Sequence, residues 1–209
     1  MSRGSLNYFS TPGFLKFDNR KGTLHSRGGM RMLGISEDFL RGFVEACEYE
    51  TGPATPALLR RCGEFFGRRL ALWFERELSQ HAAASIRERE MAEFSALFHD
   101  LWRGLGLGVI TVDWRYGGRG VLAITVEDSA MSSIALEEHV GEDMFEGLLE
   151  GFFTSFCDGP ITCVQTGDAR LGDKQGTTFV IVPRAREAEL RGLKEQGGAH
   201  TELVAAMVA

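Results

Sequence analysis

The sequence predicts an α+β fold in which helices cover one face of a mainly antiparallel sheet of four strands. Two pairs of β-type runs support this, 109–114 with 121–126 and 161–165 with 177–182. The loop between the first two runs, 116–120, is rich in glycine and is typical of a β-hairpin. A stretch with helical periodicity precedes each pair, and most of the chain before the first pair is also helical in pattern. We therefore expect a helical half followed by hairpin, helix and hairpin.

The helix before the first hairpin has the clearest apolar face. Its apolar residues recur at steps of three and four, which places them on one side of a 3.6-residue helix. They are Met91, Phe94, Phe98, Leu101 and Leu105. Alternating glycines then end the helical pattern. We expect this face to be buried against the sheet.

The first half of the chain predicts an N-terminal β-hairpin and two long helices. The hairpin spans 13–27 and has Gly22 in its turn. Ser36 is a good N-cap for the first helix, and 51–53 (Thr-Gly-Pro) ends it. The second helix starts at Thr55, which is followed by proline in the first turn.

The second half is predicted to contain one more helix within the sheet and a helical C-terminal segment. The polar stretch 127–141 is expected to be a loop, and Asp143 to cap the helix that follows it. After the last strand we expect a helix that is interrupted at Gly197-Gly198 and ends in a weakly apolar tail. The predicted organisation is one domain over 1–184 and a C-terminal helix and tail over 185–209.

Composition excludes several classes of protein. The net charge of −6 argues against sequence-independent nucleic-acid binding, which needs clustered lysine and arginine. No stretch approaches the roughly twenty apolar residues of a membrane span, and 1–12 has no apolar core of a signal peptide. The four cysteines form no CxxC pair. We therefore expect a cytoplasmic protein with reduced thiols.

Phenylalanine is the anomaly of the composition, with 15 Phe against 3 Tyr and 3 Trp. The phenylalanine side chain has no polar group, so it is expected in cores, apolar pockets or subunit contacts. Aromatic and aliphatic residues from three predicted helices are the candidate ligand-binding set: Phe65, Phe66, Trp73, Phe94, Phe98, Leu101, Phe152 and Phe156. From the sequence, this set fills a core, lines a pocket for an acyl or aromatic ligand, or contacts another copy.

No catalytic or metal-binding motif stands out. There is no HExxH motif and no GxSxG elbow. The enzyme alternative rests on His99, Glu127 and Asp128, and it requires these side chains to converge. Glu127 and Asp128 are adjacent on a strand end and should face opposite ways. We therefore expect a protein that is not an enzyme and uses no metal and no cofactor.

The N-terminal sequence resembles the opening of the vinyl-reductase-type small-ligand-binding domains. The matching stretches are 13–18 with Gly22, 31–33, 39–43 and 62–67, together with a Gly-Asp turn at 171–173 before the last strand. That family shares its fold with subunits of the TRAPP vesicle-tethering complex. The resemblance implies helices and a small sheet around an apolar channel.

A second stretch is similar to the D-type accessory protein of bacterial cellulose synthase. It runs from Phe39 to Pro183, with its best local agreement at 58–63, 91–102 and 149–151. This resemblance implies an oligomeric, non-enzymatic accessory of cellulose secretion. It transfers no catalytic residue.

Together these patterns predict a module that functions by binding and not by catalysis. The first hypothesis is a self-associating domain of the vinyl-reductase/TRAPP type that binds a small apolar ligand or a partner protein through its phenylalanine-rich helical faces. The alternative is a scaffold component of a secretion or synthase complex. A homo-oligomer is expected in both cases.

Overall fold

The computed structural model describes residues 8–82, 89–134, 142–168 and 176–209. The Gly-Asp turn at 171–173 lies outside the described residues. The strands are β1 (Leu15–Asp18), β2 (Thr23–Ser26), β3 (Arg31–Met32), β4 (Val109–Asp113), β5 (Leu122–Glu127), β6 (Ile161–Gly167) and β7 (Thr177–Pro183). The helices are α1 (Glu37–Thr51), α2 (Thr55–Ala82), α3 (Met91–Gly104), α4 (Ala130–Ile134), α5 (Glu142–Thr154), α6 (Glu187–Glu195) and α7 (His200–Val208).

The main sheet has four strands in the order β4-β5-β7-β6, and every neighbouring pair is antiparallel. Thr125 of β5 pairs with Thr111 on one side and with Thr178 on the other. The strands of each hairpin are neighbours, and β5 and β7 join the two hairpins at the centre of the sheet. The predicted α+β fold with one antiparallel four-stranded sheet is therefore confirmed.

The two faces of the sheet are both covered by helices, which corrects the expectation that helices lie on one face only. The main hydrophobic core, which includes residues of α2, α3 and α5, covers one face. On the other face, Leu190 of α6 and Leu203 and Met207 of α7 form a second buried cluster with Val164 and Val180. Residues 177–182 of β7 are all buried, although successive side chains of a strand point to opposite faces of the sheet. Both faces of β7 are therefore covered by other parts of the protein.

The last segment of the chain is therefore a packed helix, where the sequence predicts a weakly apolar tail. Gly197 has a positive φ of 84° and separates α6 from α7. The apolar residues Leu203, Val204 and Met207 fall on one side of α7 and are buried. Tertiary contact with the sheet stabilises a nine-residue helix that would be marginal alone.

Helices α2 and α5 cross with their backbones in contact. A β-carbon placed on Gly63 or Gly67 of α2 would lie 2.0 or 2.1 Å from a carbonyl oxygen of α5. A β-carbon on Gly147 or Gly151 of α5 would lie 1.9 or 2.2 Å from a carbonyl oxygen of α2. Glycine is therefore required at all four positions, and the close approach brings α5 under the sheet at the level of the cavity described below.

The N-terminal hairpin is part of a small three-stranded sheet, β1-β2-β3, in which β3 was not predicted. Its anchor on α2 is the buried carboxylate of Glu77. Glu77 accepts hydrogen bonds from the Tyr8 hydroxyl at 2.5 Å, the Ser26 hydroxyl at 2.6 Å, the Trp73 indole at 2.8 Å and the Gly28 amide at 3.1 Å. Burial raises the pKa of Glu77, but these hydrogen bonds outweigh it and leave the pKa below its usual range.

Two local boundaries differ from the prediction. The stretch 127–141 contains the short helix α4 where only a loop was expected, and the helix after it begins at Glu142, one residue before Asp143. Met131 and Ile134 of α4 are buried in the main core. Burial of these two side chains explains why a short polar segment is helical.

Candidate functional site

A cavity of about 530 Å³ opens at one end of the main sheet, between the sheet and the helices that cover it. The sheet supplies the first residues of β5 and β6 and the last residues of β7, and α3 and α5 supply aromatic rings. The lining residues are Arg89, Met91, Phe94, Trp114, Gly117, Gly120, Leu122, Phe153, Phe156, Cys157, Gly159, Pro160, Ile161, Ile181 and Pro183. The volume lies in the range of small-molecule sites, about 300–1,000 Å³.

Four aromatic rings form the helical wall of this cavity. Phe94 of α3 meets Trp114 with ring centroids 5.7 Å apart and Phe156 with centroids 5.4 Å apart. Trp114 also meets Phe153, at 6.0 Å. These pairs are mostly edge-to-face, the geometry that aromatic quadrupoles favour. The wall is therefore apolar, rigid and suited to a flat apolar group.

Two of the residues that line the cavity also carry a buried N–H group without a partner among the described residues. The buried Trp114 Nε1 and Arg89 Nε atoms have no hydrogen-bond partner within the described part of the chain. An unpaired buried donor costs about 1–3 kcal/mol, and such groups are uncommon in native structures. An acceptor oxygen of a ligand would satisfy such a donor where a small shift of the lining side chains exposes it.

The charge of Arg89 is already balanced. Its guanidinium pairs with Glu93, and the Arg89 side chain is 7% exposed. An anionic ligand would therefore meet a carboxylate as well as the guanidinium. The polar end of the cavity is suited to a neutral acceptor, such as a hydroxyl or carbonyl oxygen.

Cys157 lies at the mouth of the cavity as an exposed free thiol. Burial of the sulfur and the nearby Asp158 both raise its pKa. The thiol is therefore protonated at neutral pH and is a poor nucleophile.

The structure separates the eight predicted ligand-binding residues into three groups. Phe94 and Phe156 line the cavity. The buried core contains Trp73, Phe98, Leu101 and Phe152, and the Phe98 and Phe152 rings stack with centroids 4.5 Å apart. Phe65 and Phe66 are exposed on α2, 56% and 41% accessible.

Sequence reasoning missed most of the cavity lining, including Trp114, Phe153 and Arg89. Phe153 is next to the predicted residue Phe152 on α5, so its position along the helix was an available signal. Trp114 directly follows the strand β4, where no helical position marks it. Arg89 belongs to a run of alternating charges, a pattern typical of a solvated helix face. Its burial depends on where α3 meets the sheet, which the sequence pattern does not report.

The three residues of the enzyme alternative are not joined into one hydrogen-bonded group in the ranges that the structure describes. His99 Nδ1 lies 2.7 Å from the Ile110 carbonyl oxygen. Glu127 and Asp128 are exposed, and Asp128 has a positive φ of 50°. Within the described residues, no hydrogen bond joins His99 to either carboxylate.

A buried ion network lies beside the α2–α5 crossing. Arg60 of α2 pairs with Glu146 and, at 2.5 Å, with Glu150 of α5, and it donates to the Cys163 carbonyl oxygen at 2.9 Å. Glu150 accepts in turn from the Cys163 amide at 3.2 Å and pairs with Arg184. The network ties α2, α5 and β6 together, so its first role is structural.

Across the residues that the structure describes, no group of three or more His, Cys, Asp or Glu side chains is placed to hold a metal ion. None of the helices in the described ranges combines the length and the apolar character that a bilayer crossing requires.

Comparison with known proteins identifies relatives of the fold. No protein-family model and no curated protein sequence matches the chain. The phenol-responsive sensory domain of the transcription activator PoxR, solved with phenol, superposes with a TM-score of 0.64 at 17% identity, over 91% of this chain and 98% of that chain. Subunit 3 of a trafficking protein particle complex from Naegleria fowleri, covalently bound to palmitic acid, superposes with a TM-score of 0.50 at 12% identity, over 71% and 95%.

At these identities the comparisons show the fold and nothing finer. The chain has the architecture shared by a vinyl-reductase-like sensory domain and a TRAPP subunit, as the first sequence resemblance implied.

Proposed function

We propose that this chain is a non-enzymatic binding module whose cavity takes a small, neutral, aromatic molecule carrying one acceptor oxygen. The observation that carries the proposal is the pair of unpartnered buried donors, Trp114 Nε1 and Arg89 Nε, in an otherwise apolar cavity of about 530 Å³. Ligand pockets in proteins combine a mostly apolar lining with a few polar groups in the same way.

The related fold of the PoxR sensory domain, which was solved with phenol, supports this ligand class. Phenol has a flat ring for the wall formed by Phe94, Phe153 and Phe156, and a hydroxyl oxygen that accepts a hydrogen bond. With a pKa near that of tyrosine, about 10, it is neutral at pH 7. It therefore avoids the cost of placing an anion beside Glu93.

A fatty acyl chain is the second candidate, because the related trafficking subunit carries palmitic acid covalently. Against covalent attachment here, the pKa of the Cys157 thiol is raised. The hydrocarbon part of an acyl chain also has no acceptor for Trp114 Nε1. We therefore place the acyl ligand second.

The catalytic alternative has less support, because Glu127 and Asp128 are exposed and no hydrogen bond among the described residues joins either to His99. The scaffold role in cellulose secretion rests on the sequence resemblance alone, and no contact among the described residues adds to it. Self-association, the remaining part of the sequence prediction, depends on the outer faces of α1 and α2 and not on the cavity.

Calorimetric titration with phenol, toluene and palmitate as probes tests the ligand proposal. We expect phenol to bind at a single site and more tightly than toluene, because only phenol has an acceptor for the two donors. Leu122→Trp, which fills the cavity from β5, should abolish binding, and Cys157→Trp at the mouth should weaken it. Leu33→Trp, on an exposed loop, is the control and should leave binding unchanged.

Three results would contradict the proposal. One is binding of palmitate but of neither aromatic probe. Another is equal affinity for phenol and toluene. The third is phenol binding that survives in a folded Leu122→Trp variant or is not weakened in a folded Cys157→Trp variant, which would place the site elsewhere. Circular dichroism establishes folding for each variant.

A further inference from the structure

Helix α1 is poorly covered for an amphipathic helix of 15 residues. Val44 is its one buried residue. Phe39 and Phe43, one helical turn apart, are 62% and 39% exposed. Neighbouring phenylalanines on one flank of a helix are unusual on a surface that faces only water.

Helix α2 carries a matching apolar stripe on its outward face. Leu58, Phe65 and Leu72 are spaced by seven residues, so they lie along one line of the helix, and all three are exposed. The opposite side of α2 packs on α5 and the core. The stripe is therefore a surface feature and not a misplaced part of the core.

Arginines lie along the stripe on α2, since Arg69 and Arg76 come four residues after Phe65 and Leu72. Arg61 and Arg68 share Glu64 as their partner. Arg69 and Arg76 are exposed, and neither has an ion-pair partner among the residues that the structure describes. The outward face of α2 therefore combines exposed apolar side chains with unpaired arginines.

The charges on α1 have the opposite sign. The helix carries five carboxylates and one arginine. Glu45, Glu48 and Glu50 are exposed and make no ion pair with any described residue. The two helices therefore offer complementary surfaces, each with exposed phenylalanine and with unpaired charges.

We propose that a second copy of this chain covers these faces, with the acidic α1 of each protomer lying on the outward, arginine-containing face of α2 in the other. Two-fold symmetry forms this contact twice, which closes the dimer. Apolar contacts contribute affinity to such an interface, and pairs of opposite charge select the partner. The proposal is independent of the ligand in the cavity.

Charge selects this pairing over the simpler one of α2 on α2. Two copies of α2 placed face to face would bring Arg69 and Arg76 of each protomer against arginines of the other, and like charges at close range cost free energy. Placing α1 there instead supplies the missing carboxylates. The contact therefore pairs opposite charges at both of its symmetric halves.

Two charge-reversed variants test this arrangement by analytical ultracentrifugation. Arg69→Glu with Arg76→Glu makes both helices acidic, and the triple change Glu45→Arg, Glu48→Arg and Glu50→Arg makes both basic. We expect wild type to dimerise at micromolar concentration and each variant alone to dimerise at least about tenfold more weakly. An equimolar mixture should recover the dimer, because a contact in the mixed dimer again joins opposite charges.

The apolar stripe is tested separately. Phe65→Ser with Leu72→Ser should weaken the dimer at least about tenfold. Phe17→Ser, which changes an equally exposed phenylalanine on the N-terminal hairpin, is the matched control and should have no effect. Raising the salt from about 0.1 M to 1 M shortens the Debye length from about 10 Å to 3 Å and should weaken the wild-type dimer.

A wild-type monomer throughout the micromolar range would overturn the proposal, as would a dimer that neither reversal weakens. Weakening by the α2 reversal alone, without recovery on mixing, would also contradict it, since α1 would then have no part in the contact. Phenol titration of each variant keeps the two proposals apart. A variant that loses the dimer but still binds phenol supports the proposed interface and leaves the ligand proposal unaffected.

Discussion

Gly67 of α2 lies directly against the backbone of Leu148 in α5, and a β-carbon at position 67 would be 2.1 Å from the Leu148 carbonyl oxygen. The atom closest to this position is backbone, so no side-chain rotation can make room. Together with the three other glycines of the crossing, this contact fixes the distance between α2 and α5. Since α5 and the turn after it supply Phe153 and Phe156, the crossing also fixes one wall of the cavity.

The first prediction concerns this crossing. Gly67→Ala should destabilise the protein by about 3 kcal/mol or more, because overpacking that displaces backbone lies at the upper end of its usual range. Urea unfolding followed by circular dichroism measures the change. Gly42→Ala is the control, since nothing lies within 4 Å of a β-carbon there. It should stabilise α1 by about 0.5–1 kcal/mol. Equal effects of the two substitutions would show that the helices do not touch.

The second prediction concerns the buried arginine beside the crossing. Arg60→Met leaves Glu146 and Glu150 without their shared cation and should cost about 3–5 kcal/mol at neutral pH. Arg61→Met, on the exposed side of the same helix, should cost about 1 kcal/mol or less.

The effect of Arg60→Met should depend on pH, with a sign that follows from Glu146. Burial raises the pKa of Glu146 above its unfolded value, and Arg60 opposes that rise. A carboxyl with a raised pKa loses its stabilising contribution as the pH rises through the folded pKa. The loss in Arg60→Met should therefore be larger at pH 7.5 than near pH 5, as thermal unfolding at the two values will show. A loss that grows toward acid pH would contradict this account.

The third prediction concerns the anchor of the N-terminal hairpin. Its four hydrogen bonds lower the pKa of Glu77 in the folded state. Such a group contributes stability above its unfolded pKa and loses it as the pH falls through the folded pKa. Glu77→Gln should cost about 1–3 kcal/mol at pH 7, and the difference from wild type should shrink in strongly acidic solution. Glu75→Gln on the same helix is the control, with a small effect at every pH.

The fourth prediction concerns ligand selectivity. Trp114→Phe keeps an aromatic ring in the cavity but removes the indole donor. Affinity for phenol should fall by about three- to tenfold, in line with a net hydrogen bond of about 0.5–1.5 kcal/mol. Affinity for toluene should stay the same, so the ratio of the phenol affinity to the toluene affinity should decrease. Tyr49→Phe, on the exposed surface of α1, is the control for the titration. An unchanged preference would mean that Trp114 Nε1 does not contact the ligand.

Local pattern predicted most of the secondary structure. The spacing of Met91, Phe94 and Phe98 placed α3, and Ser36 placed the start of α1, where its side chain accepts from the Phe39 amide. Both hairpins followed from alternating apolar residues and turn glycines. The local pattern was a weaker guide for α4 and α7. These short helices are stabilised by contact with the core or the sheet, which a local pattern does not report.

The candidate site divides in the same way. The sequence by itself determined that phenylalanine-rich helices would cover an antiparallel sheet, because periodicity is a local property of the chain. It did not separate Phe94 and Phe156, which line the cavity, from Phe98, which is core, since all three have the same apolar chemistry. Only the tertiary structure decided that separation, and with it the burial of Arg89 and Trp114, because it depends on where helices and strands end relative to one another in space.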